Sequence, residues 1–282
     1  MRKIVMTVIG IIFVAYLLLW VWWFFIQGNN VSMVFAGLAN LGGATTHKEQ
    51  TEKGQEWVFD TEGAGGLGKA GAIVARGGGL VDFLFFLLCL TSFFIIDRFV
   101  VHGQAKGKMS ITKFMEELVT QLKSRKIDEA IKLCDKQKGT YGRYVKAGLS
   151  TYKVIPESDK NNASKVKGEL EGAFGEANAI EAFQLEQRLI FIATIASIAT
   201  MTGLLGTVVG MIRSFAALSS KGRPDPNQLA TGISEALINT AGGLTVAIIS
   251  IIFYNFFVNR VDSFNFNMEE FSSEVITTLT GK

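Results

Sequence analysis

Two long uncharged runs in the second half of the chain constrain its fold more than anything else. Between Arg188 and Arg213, and again between Glu235 and Arg260, 24 consecutive residues carry no charge. As helices rising about 1.5 Å per residue, both exceed the roughly 30 Å hydrocarbon thickness of a bilayer. Neither run is uniformly greasy. In the first, Ala196, Thr200, Gly203, Thr207, Gly210 and Ser214 recur at spacings of four and three; in the second, Ala236, Thr240, Gly243, Ala247 and Ser250 do the same. Each helix therefore carries a stripe of small residues along one face. Lipid provides no hydrophobic force to join helices, so a small face that lets backbones approach marks helix–helix packing or a lumen.

The rest of the sequence fits a helical membrane protein. Hydrophobic residues make up 49 %, and three prolines stand against thirty glycines. Few prolines with long periodic apolar runs predict long helices, and no β-type alternation stands out. A net charge of +3 is too small to suggest nucleic-acid binding by itself. No phosphate loop, zinc spacing or Ser/His/Asp cluster is present, and His47 and His102 stand alone, so neither a metal nor a cofactor is expected. Cys89 falls in an apolar span and Cys134 in a soluble helix, which makes free thiols the default.

Taken in order, residues 1–27 hold an uncharged stretch behind Arg2 and Lys3 that ends in Trp20, Trp22 and Trp23. It is longer than the apolar region of a signal peptide and its end is aromatic. A retained span with an interfacial Trp belt is favoured, with Gly37 and Ala39 open as a late cleavage site. Residues 28–79 form a glycine-rich external loop that could hold one short helix. Gly63, Gly65 and Gly68 spell GxGxxG, but no strand–turn–helix context supports a nucleotide site. Residues 80–101 are a second span, with Asp82 read as an interfacial aspartate at a helix start rather than a proton relay. Residues 102–187 are soluble, basic and helical, their lysines read as a solvated surface rather than a site for RNA or anionic lipid. Residues 161–187 are helix-prone and run without a proline into the third span, 188–218, which is expected to project beyond the membrane. Residues 219–231 are a short external loop, with Asp225 and Pro226 in the form of a helix start. The fourth span, 232–259, brings Glu235 in near its outer edge, and 260–282 continue as a helical tail. Between Arg98 and Arg188 inclusive lie 17 Lys or Arg residues, against four in 27–79. The positive-inside rule then places both termini and the 102–187 domain in the cytoplasm.

From residue 181 to 259 the chain resembles the ExbB/TolQ/MotA proton-channel family, nearer its ExbB and TolQ branch than the flagellar stators. The resemblance rests on GLLGTVVGMI at 203–212 and GISEALINTAGGLTVAI at 232–248, followed by FYN. The IIDRFV at 95–100 is similar to the family's IIERF-type ending of its first conserved span, which makes residues 1–27 an addition. Family members usually carry a proline shortly before GLLGT; here Ala199 is followed by Thr200, which removes the basis for a kink there.

On residues alone, the threonines are read as bonding back to their own helix ahead of any pore role, and Glu235 equally as a first-turn acid favoured by the helix dipole or as an acid near a proton path. Measured from the middle of their runs, Thr207 and Thr240 are expected to fall in one layer, and the resemblance implies that they line a pore with Glu235 as an acid near its outer mouth. Thr200 and Ser214 extend that polar line, while Gly203, Gly210, Ala236, Gly243 and Ala247 form the packing face. Neither run contains Asp, Glu, His or Lys, and intramembrane proton carriers are normally ionisable. The acid must come from another polypeptide, or water and hydroxyls must suffice. The resemblance implies an ExbD-like or TolR-like single-span partner carrying an aspartate inside a ring of, typically, five copies. It also implies a bacterial inner-membrane location, contact with lipid, and a TonB-like protein served by the motor. The expected class is an all-α, ring-forming transport component, not an enzyme. A TolQ-like or motility stator role, or a membrane scaffold without conduction, are the alternatives. A substrate transporter would favour internal repeats and broken helices, and neither is visible.

Overall fold

The computed structural model describes residues 45–51, 54–60, 77–219 and 226–281. The expected first span, the cleavage alternative at Gly37 and Ala39, the GxGxxG glycines and the Asp225 helix start lie outside the described residues.

Eight helices follow one another from residue 79 among the described residues: α1 (Gly79–Ala105), α2 (Ile111–Lys123), α3 (Ile127–Gln137), α4 (Thr140–Val154), α5 (Glu157–Lys160), α6 (Ala163–Glu186), α7 (Leu189–Ser219) and α8 (Pro226–Thr280). Three stretches are long and apolar enough to cross a membrane: Gly79–Ala105, Ala163–Ala216 and Pro226–Thr280. The helix α7 passes unbroken through Ala199–Thr200.

Ahead of the helices stands a hairpin, β1 (Thr45–Thr51) against β2 (Gly54–Asp60), with Thr45 opposite Asp60 and Thr51 opposite Gly54. Where the sequence left room for a short helix, Thr45–Thr51 and Gly54–Asp60 pair as strands. The segment TTHKEQT has no apolar residue to alternate, so it gives no period-two hydrophobic signal.

The chain divides into two compact units. In the first, the start of α1 packs against the leading half of α8, which in turn pairs with α7. Gly77 pairs with Asn239 and Thr91 with Ser250, so α1 and α8 run in the same direction. The helices α7 and α8 are antiparallel, Gly203 meeting Gly243 and Gly210 meeting Ala236.

The second unit is built around the tail of α8. Phe257, Val261, Phe264, Met268, Phe271 and Val275 recur at spacings of four and three, and all are buried. This is a heptad seam. Against it sit Phe114 of α2 and Tyr141 of α4, whose ring stacks on Phe264 at 5.1 Å. Burying each such side chain is worth about 1.5–3 kcal/mol. The helices α4 and α6 are further tied by Arg143, which grips both carboxylate oxygens of the buried Glu181.

One expectation is corrected within this unit. The helix-prone segment does not run on into the third span: α6 ends at Glu186 and α7 starts at Leu189, with Arg188 in the left-handed region at φ 75°. The cause is a side chain, not a proline. Arg98, fully buried, donates to the carbonyl oxygens of Gln187 at 2.5 Å and Leu185 at 3.4 Å. Carbonyls at a helix end need such partners. Asp97 bridges Arg98 and Arg188 at 2.7 and 3.3 Å, which fixes the elbow.

Candidate functional site

The candidate site is the seam between α7 and α8. A Cβ placed on Gly243 would lie 2.6 Å from the carbonyl oxygen of Ala199, and one on Gly203 would lie 3.2 Å from the Gly243 Cα. These backbones are in contact, so no side chain fits between them. Gly210 similarly faces Ala236, with a Cβ there reaching 2.8 Å from the Ala236 Cβ. Ala236 and Ala247 are buried along the same line. Glycine on both sides is what brings the helices this close.

The hydroxyls of the predicted polar line divide by what they bond. Thr200 donates to the Ala196 carbonyl and the buried Ser214 to the Gly210 carbonyl, each at 3.0 Å. Thr207 donates to the Leu204 carbonyl at 2.6 Å. All three bond back to their own helix, and Ser214 also reaches the Leu229 carbonyl of α8 at 3.4 Å. Thr240 instead crosses the seam, donating to the Gly203 carbonyl oxygen at 3.0 Å. Thr240 is thus level with Gly203, and Thr207 stands four residues, about 6 Å, farther along α7. Thr207 borders an open groove on a flank that α8 does not cover, with Val208, Met211, Ile212 and Phe215 as the other walls. Thr200 is also on exposed surface.

At the end of the seam where α8 begins, Glu235 is not a lone acid. Arg213 of α7 donates to its carboxylate, and Glu235 is buried. One turn along α8 comes Asn239, fully buried. Its Nδ2 donates to the carbonyl oxygens of Glu235 at 3.0 Å and Gly77 at 2.9 Å. Its Oδ1 has no partner among the described residues. Asn239 therefore ties the turn before α1, where Gly78 takes φ 73°, to the helix that carries Glu235. Farther along, Thr91 and Ser250 bond each other at 3.2 Å on the α1 side.

Sequence reading missed two of these partners. Arg213 enters the sequence reading only as the end of an uncharged run, although an antiparallel hairpin brings that end to Glu235. Asn239 lies within INTAGG, inside the second uncharged run. A primary amide within an uncharged span was the available signal. The arrangement offers an ion pair at one end, then an amide, then a hydroxyl across the seam. Deeper in the spans, between Arg213 and Arg188 on α7 and between Glu235 and Arg260 on α8, there is no Asp, Glu, His, Lys or Arg.

Comparison with known proteins gives a consistent picture. Residues 136–270 match the family described as the MotA/TolQ/ExbB proton channel family. The biopolymer transport protein ExbB of Aquifex aeolicus is 46 % identical over 78 residues, 28 % of this chain and 53 % of that protein. The Tol-Pal system protein TolQ of Haemophilus influenzae is 41 % identical over 95 residues, 34 % of this chain and 42 % of its own length. A putative biopolymer transport protein ExbB homolog of Methanothermobacter thermautotrophicus is 37 % identical over 113 residues, 39 % of this chain and 38 % of that protein. The matched stretch thus spans about half or less of these relatives.

Proposed function

We propose that the chain, whose residues 136–270 match the MotA/TolQ/ExbB proton channel family, is a member of it and the ring-forming subunit of an inner-membrane motor driven by the proton-motive force. Its 102–187 domain lies in the cytoplasm. Protons pass between the ring and a single-span ExbD-like or TolR-like helix inside it, and the movement energises an envelope process such as TonB-dependent uptake. The chain acts by conduction and not as an enzyme.

The observation that carries this reading is the seam itself. It holds a buried carboxylate paired with Arg213 at its end and a hydroxyl bridging Thr240 to Gly203 deeper in, with no carboxylate, histidine or lysine in the rest of either span. Such a seam offers hydrogen bonds to a proton path without supplying the carrier, which a partner's aspartate would provide. The exposed flank of Thr207, Val208 and Met211 is a surface on which such a helix could turn.

The test is proton flux in vesicles containing the chain with an ExbD-like or a TolR-like partner, driven by an imposed potential and read by an internal pH dye. Flux is expected only when chain and partner are both present, and the partner that supports it identifies the branch. Equal flux from the chain alone, or none with either partner, overturns the reading. No flux with intact membrane assembly would leave the scaffold reading, which the self-bonded Thr200, Thr207 and Ser214 favour.

A further inference from the structure

Where α1 ends, two separate stretches of chain are knotted together and present a patch of lysines. The side chain of Gln137, fully buried, accepts from the Met109 N–H at 2.8 Å and donates to the carbonyl oxygens of Lys106 at 3.1 Å and Met109 at 3.2 Å. The Lys108 N–H donates to the Gln137 carbonyl at 2.8 Å. Gly107 and Gly139 take φ 78° and 97°, and a Cβ on Gly139 would lie 2.7 Å from the Ala105 carbonyl oxygen. Positive φ and the lack of space both demand glycine. Lys106 and Lys108 on one strand of the knot, and Lys136 and Lys138 on the other, are all exposed.

The patch has no built-in counter-charge. No carboxylate occurs between Asp97 and Glu116, and the neighbouring Asp135 is taken by Lys146 at 2.5 Å. Its position along the chain matters as much. Val100 is the last large apolar residue exposed on α1, and Lys106 follows the helix's final residue. Six residues of helix put Lys106 about 9 Å beyond Val100. The headgroup layer is about 5–8 Å deep on each side of the hydrocarbon, and a lysine stem reaches back over the remainder.

We propose that Lys106, Lys108, Lys136 and Lys138 form a docking surface for anionic phospholipid headgroups, which holds the α2–α3 pair against the membrane. A lysine near an anionic surface contributes roughly a fivefold gain in affinity, and four held on one rigid knot act together. The surface requires only that α1 cross the membrane and does not depend on proton conduction, so it can fail or stand separately from the motor reading.

The test uses the full chain in mild detergent, with retention of added lipid read by native mass spectrometry. The probes are phosphatidylglycerol and phosphatidylcholine of identical acyl chains. Wild type is expected to retain phosphatidylglycerol at least about tenfold more, with a preference that falls as salt rises. K106Q/K108Q/K136Q/K138Q should retain both lipids equally, whereas the four-fold Arg variant and K113Q/K123Q/K126Q should behave as wild type. Should the Gln variant not fold, the salt titration of wild type and the Arg variant still decide. Equal retention of the two lipids by wild type, a preference that survives the four Gln substitutions, or displacement of lipid by millimolar inorganic phosphate would each overturn the assignment.

Discussion

The Thr240 hydroxyl is donated across the helix seam to the carbonyl oxygen of Gly203, 3.0 Å away. Among the four hydroxyls of the predicted polar line, it alone bonds only across the seam; Ser214 reaches the Leu229 carbonyl at 3.4 Å in addition to its own helix. Thr240→Val keeps the shape and deletes that bond. An interhelical hydroxyl bond in lipid is worth about 1 kcal/mol, so the protein should fold and assemble at wild-type levels. Proton flux with a partner should nevertheless fall several-fold. Thr207→Val removes a hydroxyl that faces the open groove and should lower flux without moving thermal stability. Wild-type flux in both variants would return the threonines to a packing role.

Gly243 makes the complementary point about packing. A Cβ there would press into the Ala199 carbonyl oxygen, which belongs to rigid helix backbone and cannot step aside. Overpacking of this kind costs about 1–3 kcal/mol. Gly243→Ala should therefore lower the melting temperature by several degrees in detergent. Gly168→Ala, at an exposed position on α6 with nothing near its Cβ, should raise it slightly, because alanine is the better helix former. Differential scanning fluorimetry reads both.

The spans and the stripe of small residues were legible because lipid imposes length and glycine imposes proximity, and both are visible in composition and spacing. Which face of α7 meets α8 was only partly legible. Spacing put Thr200 and Thr207 on the same stripe as Gly203 and Gly210, but in the structure Ala199 and Gly206 stand in the seam while the threonines lie at its flanks. A stripe of period 3.5 does not distinguish the centre of a contact from its margin. The elbow at Gln187–Arg188 was illegible for a different reason. It depends on Arg98, some ninety residues away in sequence, and no local propensity reports a partner at that distance. The hairpin was missed because β1 has no apolar residue to alternate and the apolar residues of β2, Trp57, Val58 and Phe59, are consecutive.

That elbow gives a third prediction. Arg98 bonds two carbonyl oxygens and Asp97 at once, a fork that a lysine ammonium cannot reproduce. Arg98→Lys should leave the helical content intact but loosen the joint between α6 and α7. Faster amide exchange is expected over residues 185–190, with residues 166–177 protected as before. Unchanged exchange at 185–190 would show that the left-handed Arg188 holds the break without Arg98.

Topology and thiol chemistry can be tested together. Burial among α3 and α4 side chains, with Asp135 adjacent, pushes the Cys134 thiol up to about 12. At pH 8 it is almost entirely protonated, and the thiol is not the nucleophile. Cys134 should therefore resist maleimide in the folded protein and react after denaturation. With native cysteines removed, Lys138→Cys should label from the cytoplasmic side and Glu52→Cys, outside the described residues, from the other. Reversed labelling would invert the proposed topology.

The last prediction concerns the ion pair that closes the seam. Arg213 is partly exposed and Glu235 is mostly covered, so the pair sits at the margin of the span, where a lone carboxylate is costly but tolerable. Glu235→Gln keeps the shape, removes the charge and should cut flux while assembly survives. Arg213→Gln leaves the acid unpaired and should lower the melting temperature more than Glu235→Gln does, because the remaining group is the more buried of the two. The exchange Arg213→Glu with Glu235→Arg separates the two roles of the pair. If the ion pair serves only to fasten α7 to α8, the exchange restores both stability and flux. If an acid is needed at position 235 of α8, next to the backbone that Asn239 holds, the exchange restores the melting temperature and leaves flux as low as in Glu235→Gln. The second outcome is expected, and recovery of flux in the exchanged protein would remove Glu235 from the proton path.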